Sequence, residues 1–77
     1  MFLYFIMTDY VIELTWDYEA SVWVAENNDI PIALESHSLD ALIERVRIAT
    51  PELLEFNGKS VTNSTLHFKM EHQTMVA

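Results

Sequence analysis

One stretch constrains this chain more than any other: Glu13-Leu-Thr-Trp-Asp-Tyr-Glu-Ala-Ser-Val-Trp-Val-Ala-Glu26. In its first arm Ile12, Leu14 and Trp16 alternate with Val11, Glu13 and Thr15, a period of two that belongs to a strand and not to a helix. Its second arm, Ser21 to Glu26, carries Val22, Trp23 and Val24, which are strong strand formers. Asp17-Tyr-Glu-Ala20 lies between them, with no Asn-Gly or Asp-Gly pair. The expected connection is therefore a four-residue loop around a type I turn, not a two-residue hairpin. Trp16 and Trp23 bracket that turn. Two roles fit them: a cross-strand aromatic pair in the core, and an anchor for a partner. Trp23 is out of phase with Val22 and Val24, so one ring on each face satisfies both roles.

The rest of the chain builds on this hairpin. Asn27-Asn-Asp29 is a polar loop, and Pro31 keeps a central strand from running through it. Ile32 to Ser36 reads as a short third strand with Ile32 and Leu34 on one face. Ser38 is a helix N-cap with Asp40 in the first turn. Leu39, Leu42, Ile43, Val46 and Ala49 then form one apolar stripe, with Glu44, Arg45 and Arg47 turned away from it. Thr50-Pro51 predicts a break, with Thr50 capping a short second helix over 51–56 that ends at Asn57-Gly58. Leu53, Leu54 and Phe56 are expected to close one end of the core. From Thr65 to His72, Leu66, Phe68 and Met70 alternate with His67, Lys69 and Glu71, a final strand with one wet face. The order is β-β-β-α-β: a three-stranded antiparallel unit, a helix with its short continuation on one face, and a last strand. This predicts an α+β fold.

The 77 residues make one domain, 1–77. Met7-Thr-Asp-Tyr10 reads as a natural start, which leaves 1–9 as an N-terminal extension. Within it Phe2, Tyr4 and Ile6 extend the first strand, dock on a partner or fray; residues 73–77 form a tail. The apolar start has no basic segment and no small-residue cleavage site, so it is not expected to act as a signal peptide or to span a membrane. Asn63-Ser-Thr65 matches a glycosylation sequon, which has no use without secretion. The lack of cysteine fits a reducing, cytoplasmic setting.

Twelve acidic residues face four basic ones, a formal net charge of −8. A surface of that sign repels phosphate backbones, so direct nucleic-acid binding is not expected. It suits solubility, and it suits a basic protein partner. A single glycine leaves no phosphate-cradling loop, and without cysteine there is no thiol nucleophile. His67 and His72 are expected on opposite faces of their strand, a poor pair of metal ligands, and His37 falls at a strand-to-helix junction. No nucleophile, base and oxyanion site converge in the sequence, so neither an enzyme nor a cofactor is expected. The carboxylates Glu13, Asp17, Glu19, Glu26 and Glu35 gather on the hairpin and third strand. The last strand, at a sheet edge, offers pairing to a second copy or to a partner.

Trp16-Asp-Tyr-Glu-Ala-Ser-Val-Trp-Val-Ala25, then Asp29-Ile-Pro31, Ser38-Leu-Asp-Ala-Leu-Ile-Glu-Arg45 and Pro51-Glu-Leu-Leu54 resemble the HicB-like antitoxin family. Within it they are most similar to a short bacterial branch described as a domain of unknown function. The resemblance runs from about Tyr10 to Gly58 and implies a partly degraded double-stranded-RNA-binding-domain arrangement, β-β-β-α-β. It also implies an antitoxin role: binding a small basic HicA-like toxin, an mRNA-cleaving ribonuclease with a catalytic histidine, so that RNA cannot reach it. The partner-binding candidates are Asp17, Glu19, Glu26, Asp29 and Glu35, with Trp23 as an apolar anchor. The chain departs from the family pattern in three ways. Only nineteen residues follow Gly58, room for one strand, so a C-terminal DNA-binding module is not expected. The family's Asp-Leu-Pro-Gly is Asp29-Ile-Pro-Ile32 here, so the turn after the second strand is expected to differ. The toxin's histidine has no counterpart. An alternative reading is an orphan, homo-oligomeric domain of the same fold.

Overall fold

The computed structural model describes residues 8–72, 74 and 76. Residues 1–7 of the extension expected at 1–9 lie outside them; its last two, Thr8 and Asp9, are instead the first residues of a strand. Strands β1 (Thr8–Asp17), β2 (Val22–Glu26) and β3 (Ala33–Ser36) precede one helix, α1 (Leu39–Phe56), and a last strand, β4 (Ser64–Glu71). They form one mixed sheet in the order β3-β2-β1-β4. The first three strands are antiparallel neighbours, and β4 returns parallel to β1. The α+β fold and its β-β-β-α-β order are as the sequence predicts.

Alternation decides which side of the sheet is dry. Tyr10, Ile12 and Leu14 of β1 are buried, as is Ala25 of β2, beneath Leu42, Val46 and Leu54 of α1. Ile30 and Ile32, on either side of Pro31 in the connection from β2 to β3, are buried in the same core. The helix packs over β3 and β2. Leu66 and Phe68 of β4 reach the core only from its flank and stay half-buried.

The turns explain several boundaries. The Asp17 carboxylate accepts from the amides of Glu19 at 2.9 Å and Ala20 at 3.2 Å, an Asx turn that starts the hairpin loop. Ser21 closes the loop with a left-handed φ of 54°. The loop is therefore Tyr18 to Ser21, one residue later than the sequence suggests. Strand β3 begins at Ala33 and not at Ile32, because the Ile32 amide donates to the Ile30 carbonyl at 2.7 Å and not to the sheet.

The expected break at Thr50-Pro51 does not occur. One helix of 18 residues runs through Pro51. Val46, Thr50 and Leu54 lie one turn apart along a single buried line, so both halves are held to the sheet. Thr50, 3% exposed, does not cap a new helix; its hydroxyl donates to the Val46 carbonyl at 2.6 Å. At the start the Ser38 hydroxyl accepts from the Ala41 amide. At the end Gly58 has φ 70°, and the Lys59 amide donates to the Leu54 carbonyl, a left-handed closure that favours glycine. Leu54 closes the core as expected, but Phe56 does not: it is 90% exposed.

Candidate protein-binding face

The register places one set of side chains on the sheet face away from α1. Two rows across the strands carry most of its charge. In one row Glu26 of β2 stands opposite Glu13 of β1, which stands beside Lys69 of β4. In the next, Glu35 of β3, Val24, Thr15 and Glu71 follow one another. Asp9 and Asp17 share this parity at the two ends of β1. Glu13, Glu26 and Glu35 are exposed. Like charges set directly opposite on neighbouring strands oppose the sheet, so the Glu13–Glu26 pair costs stability.

At the end of the face nearest the 27–29 loop, Asp9, Glu13, Glu26 and Asp29 surround a shallow hollow of about 170 Å³ with Val11, Asn27 and Asn28. Asn27 builds its wall. Its side-chain oxygen accepts from the amides of Asp29 and Ile30, each at 2.7 Å, and its amide donates to the Val11 carbonyl at 2.7 Å. His67 of β4 places Nε2 3.1 Å from the Asp9 carboxylate.

Lys69 stands on this face beside Glu13; the other basic residues do little to neutralise it. Arg45 donates to the Glu35 carbonyl at 2.8 Å, and Lys59 to the Asp29 carbonyl at 3.0 Å. Arg47 pairs with Glu44 on the exposed side of α1. The hydrogen bonds from Arg47, and then its charge, hold the Glu44 carboxyl below its ordinary range; the same bonds raise Arg47. Among the described residues, Glu13, Asp17, Glu26, Asp29 and Glu35 have no basic side chain within ion-pairing distance.

The sequence candidates thus fall in three places. Asp17, Glu26 and Glu35 share the open face; Glu26 and Asp29 share the hollow; Glu19 stands exposed on the hairpin loop. Trp23 is on the opposite side. It stands directly across from Trp16 with ring centroids 5.4 Å apart, edge to face, and the His72 ring leans on both. The reading of one ring to each face is therefore corrected. A four-residue loop keeps Trp16 and Trp23 opposite in the ladder, and opposite residues share a face. Asp9 and Glu13 also line the hollow, beyond the binding residues that the sequence singles out. Strand parity signals both, because Asp9, Val11 and Glu13 alternate with the buried Tyr10 and Ile12.

Among the described residues, no group of three or more His, Cys, Asp or Glu side chains is placed to hold a metal ion, and no helix is long and apolar enough to cross a membrane.

The architecture is that of a small α+β domain with a mixed four-stranded sheet; among the described residues a single helix packs over β2 and β3 on one face, and the other face carries the outward carboxylates. The chain belongs to the family described as a domain of unknown function, DUF1902, which it matches over residues 9–77. It is also similar to the crystal structure of the hypothetical protein TTHA1013 from the extremely thermophilic bacterium Thermus thermophilus. Identity is 33%, with a TM-score of 0.76, over 87% of this chain and 97% of that one. No curated protein matches.

Proposed function

We propose that this chain is a non-catalytic, antitoxin-like binding module of the HicB-like kind. Its open sheet face captures a small basic protein, a HicA-like mRNA-cleaving toxin, and covers the toxin's RNA site. The observation that carries this reading is the Glu13–Glu26 row with Asp9, Asp29 and Glu35 around it, carboxylates held outward on a rigid sheet with little intramolecular neutralisation. Such a face presents negative charge in a fixed array, as an RNA backbone does, and so competes for a basic groove. The motif resemblance around Trp16–Ala25 and Asp29–Pro31 supports the same reading, and so does the net charge of −8.

The reading expects a small basic protein encoded beside this chain; the test is co-expression with it, followed by affinity pull-down and a growth-rescue assay, and the lack of such a neighbour counts against the reading. A complex that restores growth, and that the Glu26→Lys/Glu35→Lys double variant weakens by about tenfold or more, is expected. Absence of a complex, or a complex indifferent to that variant, overturns the reading.

A further inference from the structure

We propose that the free edge of β4 seats a second copy of this chain. The two β4 strands pair antiparallel about a two-fold axis normal to the sheet, giving eight continuous strands. Both helices then lie on one face and both acidic faces on the other.

The two edges of the sheet are not alike. Strand β3 is four residues long, and Arg45 already occupies the Glu35 carbonyl. A short edge with its backbone engaged resists strand addition. Strand β4 is eight residues long and contains neither proline nor glycine. It pairs with β1 from Ser64 to Glu71, and among the described residues no strand lies on its other side. Its helix-side residues are also unfinished. Because α1 lies over β2 and β3, Leu66 and Phe68 are half-buried and Met70 is 58% exposed.

Charge also permits a self-contact at this edge. The chain carries −8, yet residues 64–72 hold one lysine and one glutamate, which cancel. Two copies meeting here bring together their least repulsive strands. Parity also fits: with the axis at Lys69, Phe68 of each copy faces Met70 of the other on the helix side. His67 of each copy faces Glu71 of the other on the open side. The two Lys69 side chains meet at the axis, each diagonal to a Glu71 of the other copy, which offsets their repulsion. The contact leaves Glu13, Glu26 and Glu35 uncovered, so it stands whether or not a basic partner binds there.

Sedimentation velocity on the full chain from about 1 to about 100 µM, with amide exchange of residues 67–71 at both ends of that range, tests the proposal. The expected result is a two-chain mass and β4 amides that slow as the dimer fills. Met70→Asp enters the contact twice, so at about tenfold per site the dimer dissociation constant rises by about a hundredfold. Glu35→Lys, on the opposite edge, leaves it unchanged. A single-chain mass throughout, a dimer indifferent to Met70→Asp, or β4 amides whose exchange ignores concentration would overturn it. The exchange measurement uses the unaltered chain and decides the matter even if Met70→Asp fails to fold.

Discussion

Replacing Glu26 should make this protein more stable and a worse binder. Glu26 and Glu13 are directly opposite on antiparallel strands, and both are exposed. Opposed side chains of this kind start from Cβ atoms about 5 Å apart, and their carboxylates splay to about 6–7 Å. In water that separation corresponds to about 0.6 kcal/mol of repulsion, and screening at physiological salt roughly halves it. Glu26→Gln should therefore stabilise the fold by about 0.3–0.6 kcal/mol, and Glu26→Lys by about twice as much, since repulsion becomes attraction. Lys69, on the far side of Glu13, competes for the same carboxylate and makes these figures upper values. Urea denaturation of the three proteins at about 0.05 M and about 1 M salt reads the effect, because the difference between them should shrink as salt screens it. In parallel, the variants should lose affinity for the basic partner. A Glu26→Gln protein less stable than the parent, or a difference that salt does not change, would refute the electrostatic reasoning. A gain in stability with no loss of binding would separate the strain from the function.

Three smaller tests address α1. Pro51→Ala restores an amide able to donate to the Arg47 carbonyl within the unbroken helix, and should raise stability by about 1–3 kcal/mol in denaturant titrations. Thr50→Val keeps the shape and removes the hydroxyl that donates to the Val46 carbonyl, and should cost about 0.5–1.5 kcal/mol in the same titration. The Glu44 carboxyl lies below its ordinary range because of Arg47, so the pair stabilises the fold above the unfolded carboxylate value and loses that contribution as pH falls through the lowered, folded one. Both partners are exposed, so the clear readout is the titration itself: by NMR, Arg47→Ala should return Glu44 toward its ordinary range without a marked change in unfolding midpoint.

The parts of this fold that a reader of the sequence recovers are those written in one period. Tyr10, Ile12 and Leu14 alternate with Val11, Glu13 and Thr15; Leu42 and Val46 recur at helical spacing; both signals are local and the structure obeys them. The misreadings come where a distant contact outvotes a local rule. Thr50-Pro51 is a stop signal by local chemistry, yet Val46 and Leu54 are buried on either side of it, and keeping both in the core outweighs one lost backbone hydrogen bond. Pairing is likewise absent from periodicity: nothing in Leu66, Phe68 and Met70 says that their strand lies beside β1, parallel to it. The candidate site follows the same logic. Parity alone assigns Glu13, Glu26 and Glu35 to outward positions, but that they share one face, and that Asp9 and Asp29 close a hollow with two of them, depends on register and on the Asn27 loop. Trp23 shows the limit most clearly. Its phase relative to Val22 and Val24 is correct as read, but the face it occupies is set by the length of the loop that brings it opposite Trp16, and shifting that loop by one residue would have carried the indole to the acidic side.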